Sequence, residues 1–175
     1  MTVRIGLIGA GVMGADHART IASGVGGAEL TAVYDKDIDR ARSAARSCGE
    51  TRVAETADEL IADPKIDAVL VPSPDETHAS LAVACIGAGK PALVEKPLAS
   101  TLDECRAVIS AEMKGGRRLI QVGFMRRFDP GYLAMKEALA QNRLGGAALL
   151  SLRASERRRT RISHVGARDR ELGRP

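Results

Sequence analysis

Two rhythms of apolar residues alternate along the chain. Residues 3–8 form a short, mainly apolar run ending in glycines, the pattern of a strand buried on both faces of a parallel sheet. Residues 12–23 then read as a helix, and residues 30–34 repeat the strand pattern. Asp37 is placed to cap a second helix running to about Cys48, with Gly49 at its stop. Val53 centres a short third strand, and Thr56 with Glu59 has the spacing of a capping box for a helix that Pro64 ends.

The alternation continues through the middle of the chain. Residues 68–71 predict a fourth strand, and Asp75 or Glu76 opens a helix to about Ala88. That helix is apolar nearly all round over residues 79–86, which places it deep against a sheet. Residues 92–94 predict a fifth strand. Thr101 and Glu104 then form a second capping box, and Leu102, Cys105, Val108, Ile109 and Met113 recur at the spacing of one helical face before Gly115 and Gly116. Residues 119–122 predict a sixth strand, and Asp129-Pro130 supplies the cap and first-position proline of a further helix. Such alternation predicts an α/β fold, a doubly wound parallel sheet of the Rossmann type, over residues 1–140. Residues 141–152, with a strand over 147–152, read as the start of a second α+β domain that is otherwise largely absent. Residues 153–175 read as an Arg-rich tail without apolar periodicity, disordered or translated in a shifted frame.

Composition narrows the function classes. A chain of 175 residues, 45% hydrophobic, suffices for one domain and a modest core. Two Phe, two Tyr and no Trp leave that core to Ala, Val, Leu and Ile, and speak against a single-strand nucleic-acid platform, which needs stacking aromatics. The net charge of +4 belongs to the tail: residues 1–152 hold 18 Lys and Arg against 19 acids, residues 153–175 eight Arg against three. Cys48, Cys85 and Cys105 lack CxxC spacing and predict reduced thiols in a cytoplasmic protein, with neither a disulfide framework nor a metal site. No apolar run approaches the ~20 residues of a membrane span, and no signal peptide is expected.

The candidate chemistry sits in the loops that follow the strands. Gly9, Gly11 and Gly14 have GxGxxG spacing between a predicted strand and a predicted helix. The first allows a tight turn, the second lets a pyrophosphate approach the backbone, and the third lets the helix pack closely with its N-terminus toward the phosphates. Asp35 ends the second strand, 21 residues beyond Gly14, where a carboxylate can accept from ribose hydroxyls and repel a 2′-phosphate. This favours NAD over NADP, with Lys36 and Arg40 near enough to soften the repulsion. Pro72, Ser73 and Pro74 stiffen the loop after the fourth strand. His78 follows in the first turns of a helix, where a surface or packing role competes with a catalytic one. Glu95, Lys96 and Pro97 end the fifth strand, where a lysine can donate to a substrate oxygen and an X-Pro bond can be cis.

In order and spacing, GAGVMG, Asp35, PSPDETH, EKP and "QVGFMRRFDPGY" resemble the Gfo/Idh/MocA oxidoreductase family over residues 3–153, and the last segment resembles its inositol 2-dehydrogenases. The resemblance implies NAD(H) held by Gly9, Gly11, Val12, Met13, Gly14, Asp35, Ser73, Pro74, His78, Glu95, Lys96 and Pro97. It implies Lys96 as the catalytic residue beside the nicotinamide, and Lys96, Met125 and Arg126 on a polyol or sugar. The implied reaction oxidises one ring hydroxyl to a ketone by hydride transfer. Family members also need an Asp and a His four residues apart in the second domain. Here His164 is the one candidate, and Thr160 stands four residues before it. The expectation is a fragment or frame-shifted product that binds NAD without efficient turnover. It would be monomeric or aggregation-prone, whereas intact relatives are expected to associate through the second sheet. A stand-alone regulatory dinucleotide-binding module is one rival, and a basic arm for nucleic acid or an acidic partner is another.

Overall fold

The computed structural model describes residues 1–49 and 51–141. The expectations for residues 142–175, His164 included, lie outside the described residues. The chain separates into a unit of Met1–Phe124 and a second unit from Met125 onward.

In the first unit, strands β1 (Val3–Ile8), β2 (Ala28–Tyr34), β3 (Arg52–Val53), β4 (Ala68–Val71), β5 (Ala92–Glu95) and β6 (Ile120–Gly123) form one sheet in the order β3-β2-β1-β4-β5-β6. All five pairings are parallel. Helices α1 (Val12–Ala22), α2 (Ile38–Arg46), α3 (Ala57–Ala62), α4 (His78–Gly87) and α5 (Leu102–Gly115) make the crossovers. The chain winds outward from β1 to β3, returns to β4 on the other side of β1, and winds outward again. The connections leaving β1 and β4 therefore diverge, opening a crevice at their carboxyl ends where ligands of open α/β sheets collect.

Neighbouring strand residues face opposite ways. Leu7, Val33 and Leu70 join Ala18 of α1 and Ala41 of α2 in one core. Ile8, Ala32, Val69 and Val71 join Leu60 of α3, Ala82 of α4 and Val108 of α5 in the other. This two-faced burial is why the strands read as nearly continuous apolar runs. The three cysteines are free thiols, and burial pushes that of Cys85 up to about 11, as suits an inert core group.

Three local expectations change. The Thr56 hydroxyl accepts from the Glu59 N–H at 3.0 Å, but the Glu59 carboxylate turns to the Glu55 N–H at 2.7 Å and to Arg52, so that box closes on one side only. At Thr101 and Glu104 it closes on both. The apolar stripe of α5 is wider than its contact: Val108 is buried, whereas Leu102, Ile109 and Met113 are exposed. The contact face has rotated toward Cys105, Val108 and Glu112, because the Glu112 carboxylate accepts from the amides of Leu119 at 2.7 Å and Ile120 at 2.8 Å. Helix α4 begins only after a single 3₁₀ turn, Asp75–Thr77, and buries Ala79, Ala82 and Cys85 while leaving Val83 exposed.

Candidate functional site

The turn from β1 into α1 is shaped by its glycines. Gly9 has φ +103°, and a Cβ there would lie 2.7 Å from the Ser73 Cα, so the loop after β4 can approach only a glycine. A Cβ on Gly14 would lie 1.9 Å from the Gly9 carbonyl oxygen, so this glycine lets the first turn of α1 close down on the β1 turn. Gly11, the residue capping α1, differs from both: its backbone is extended and nothing lies within 4 Å of a Cβ built on it. Among the described residues no side chain caps this helix, which leaves the first-turn N–H groups with their partial positive charge open to an acceptor.

Opposite the glycines, Asp35 holds the site together. Its Oδ2 accepts from the Ala10 N–H at 2.6 Å and its Oδ1 from the Asp37 N–H at 2.8 Å. The carboxylate thus pins the glycine turn to the start of α2 while each oxygen retains a second acceptor direction. Between these segments and the loop after β4 lies a cavity of about 540 Å³, within the usual range for a small-molecule site. Gly9, Gly11, Val12 and Met13 form one wall, Asp35 with Lys36 and Arg40 a second, and Ser73 with Pro74 a third. The Arg40 guanidinium is engaged with Asp37 at 3.3 Å. Lys36, Tyr34 and Thr77 also line the cavity, and the Thr77 and Ser73 hydroxyls meet at 2.6 Å.

The other expected residues take different places. Gly14 serves the packing of α1 behind the cavity wall. His78 is buried, with Nδ1 2.6 Å from the Pro97 carbonyl and Nε2 2.8 Å from that of Ser73, and does not reach the cavity. It packs between two loops and is not at the surface. Glu95 is buried at the end of β5, while Lys96 and Pro97 are exposed there and joined by a cis peptide bond. Among the described residues, Lys96 Nζ has no hydrogen-bond partner. His17 escaped the sequence reading: its Nε2 lies 3.0 Å from Glu95 Oε1. Its position three residues beyond Gly14, beside buried Ala18, was the available signal.

In the second unit, Met125 and Arg126 occupy a 3₁₀ turn ahead of α6 (Pro130–Ala140). Asp129 caps α6, and the Arg126 guanidinium donates to its Oδ2 at 2.8 Å, holding its carboxyl below the usual range. The guanidinium also lies 5.2 Å from the Tyr132 ring centroid. Among the described residues no group of three or more His, Cys, Asp or Glu could hold a metal, and no helix is long and apolar enough to cross a membrane.

Comparison with known proteins agrees with this geometry. Inositol 2-dehydrogenase 2 of Saccharopolyspora erythraea is 54% identical over 150 residues, covering 86% of this chain and 44% of that protein. The inositol 2-dehydrogenase of Acidothermus cellulolyticus is 46% identical over 151 residues, with the same coverage. Myo-inositol dehydrogenase of Lactobacillus casei, solved in complex with NAD(H) and myo-inositol, superposes with a TM-score of 0.78 at 37% identity, covering 81% of this chain and 42% of that one. The chain thus spans less than half the length of these relatives. Residues 3–124 match the Gfo/Idh/MocA description, an oxidoreductase family with an NAD-binding Rossmann fold, and the chain belongs to that family.

Proposed function

We propose that this chain provides the cofactor half of an NAD-dependent dehydrogenase that oxidises a ring hydroxyl of an inositol-like polyol to a ketone. The observation that carries the reading is the cavity between the uncapped start of α1 and Asp35: N–H donors and open space at Gly11 suit a pyrophosphate, and the carboxylate opposite suits a ribose diol. When bound, NAD supplies the hydride acceptor. Gly9, Gly11, Val12 and Met13 hold the phosphates, Asp35 the adenosine ribose, and Ser73 and Pro74 the face of the dinucleotide. Asp35 favours NAD over NADP, because Arg40, the guanidinium in the wall, is already engaged by Asp37. Lys96 is the catalytic residue, donating to the reacting oxygen, and Met125 and Arg126 contribute to polyol recognition, a reading supported by the family resemblance of the EKP and QVGFMRRFDPGY segments.

For the 175-residue chain on its own we expect cofactor binding without efficient turnover. Among the described residues both histidines are committed, His17 to Glu95 and His78 to two carbonyls, so neither is free to exchange a proton with a substrate held by Lys96. Because the chain has no Trp, nicotinamide fluorescence gives a clean titration. NADH should bind at least about tenfold tighter than NADPH, and NAD with myo-inositol should yield no NADH. No binding of either nucleotide overturns the cofactor reading, and robust turnover overturns the expectation for the chain alone.

A further inference from the structure

Lys96 stands on an exposed strand end, a long flexible side chain whose amine finds no hydrogen-bond partner among the described residues. Both of its chain neighbours are gripped by a histidine, each from a different helix. On one side, His17 of α1 reaches Glu95 Oε1 at 3.0 Å, while Glu95 Oε2 accepts the Lys96 N–H at 3.3 Å. The Glu95 carboxylate is also backed by β6: a Cβ on Gly123 would lie 3.2 Å from its carboxyl carbon and from both oxygens. On the other side, His78 of α4 is 1% exposed and lies 2.6 Å from the Pro97 carbonyl and 2.8 Å from the Ser73 carbonyl. A carbonyl only accepts, so one neutral tautomer binds Pro97, the other binds Ser73, and the doubly protonated ring binds both.

We propose that His17 and His78 are positioning residues that fix Lys96 at the nicotinamide end of the site. The inference rests on the cofactor reading above. His17 ties Lys96 through Glu95 to the helix whose first turn lines the phosphate wall. His78 ties it through Pro97 to the loop that forms the third wall. The lysine is thereby registered against two of the three walls of the cofactor cavity. Such registration matters because a reacting group placed loosely by about 1 Å loses much of its effect.

The test compares a ligand that reaches the nicotinamide end with one that cannot. NADH and ADP are titrated against the unsubstituted chain, His17→Ala, His17→Gln, His78→Ala, His78→Asn, Lys96→Ala and the double variant His17→Ala/Lys96→Ala. His17→Ala should weaken NADH roughly fivefold and leave ADP within about twofold. His17→Gln, which keeps a nitrogen near the Nε2 position, should recover most of the loss. In the Lys96→Ala background, His17→Ala should cost nothing further. His78→Asn, which keeps a donor near Nδ1, should be milder than His78→Ala. Should buried His78→Ala fail to fold, the partly exposed His17 series decides alone. Equal losses for NADH and ADP, additive losses with Lys96→Ala, or no loss at all overturn the inference by itself. Failure of the unsubstituted chain to bind either ligand overturns the cofactor reading and this inference together.

Discussion

The carboxyl ends of the strands and their amino ends use polar groups in opposite ways. At the amino ends, charges satisfy one another. The Arg4 guanidinium donates to both Asp67 oxygens at 2.7 and 3.0 Å, Asp67 also accepts the Arg4 N–H at 2.9 Å, and Arg52 bridges Glu59 and Asp63. The Lys90 amine donates to the carbonyls of Asp63 and Ile66, and burial pushes it below the usual amine range. At the carboxyl ends, α1 starts without a cap and the Lys96 amine has no partner among the described residues. A donor already satisfied contributes to the fold, whereas one left open contributes only when a ligand arrives. The division marks which rim stabilises and which one binds.

Two glycines three residues apart sharpen that contrast. Gly14→Ala should have the largest effect, because its Cβ would fall 1.9 Å from a backbone oxygen that cannot move without disturbing the β1–α1 turn. Overpacking of this kind costs about 3 kcal/mol or more, measurable by denaturant unfolding. A stability equal to that of the unsubstituted chain would show that the packing of α1 on Gly9 is not needed. Gly11→Ala has open space around its Cβ and extended backbone, so stability should hold within about 0.5 kcal/mol. NADH affinity should nonetheless fall at least about tenfold, or about 1.4 kcal/mol, in a fluorescence titration. If Gly11→Ala bound NADH normally, the phosphates would have to lie elsewhere.

Most of the sheet is legible in the sequence because two-faced burial leaves little choice of residue. Val3–Ile8 and Ala68–Val71 begin and end where the apolar runs do. Caps are equally readable where one oxygen stays with the helix amides, as with Asp37, Thr101 and Asp129, even though the second oxygens of Asp37 and Asp129 pair with Arg40 and Arg126. Local patterns mislead where the whole carboxylate is drawn to other groups. Glu59 turns to the Glu55 amide and to Arg52, and Glu112 occupies an apolar contact face because the amides of Leu119 and Ile120 need an acceptor. In the site, the glycines and Asp35 were legible from spacing because they serve a local turn. The His17–Glu95 pair spans 78 positions, and the two contacts of His78 depend on how two loops meet. No local pattern encodes such pairs.

The smallest expected effect belongs to the amino rim and appears only in acid. Arg4 holds the Asp67 carboxyl well below the ordinary range. The Lys65 N–H and then Arg52 lower Asp63, and the Glu55 N–H and then Arg52 lower Glu59. For a carboxyl lowered on folding, the unfolded chain binds protons first. The stabilisation is therefore complete above the ordinary carboxyl range and is lost as pH falls through the folded values. The denaturant midpoint should drop as pH is taken from about 6 to about 3, and Arg52→Met should flatten that slope through a small loss at neutral pH that vanishes in acid, since such pairs contribute modestly. NADH affinity at neutral pH should be indifferent to Arg52→Met, because neither the arginine nor its partners Glu59 and Asp63 line the cofactor cavity. An acid slope unchanged by the substitution, or a loss of NADH binding with it, would erase the distinction between the two rims.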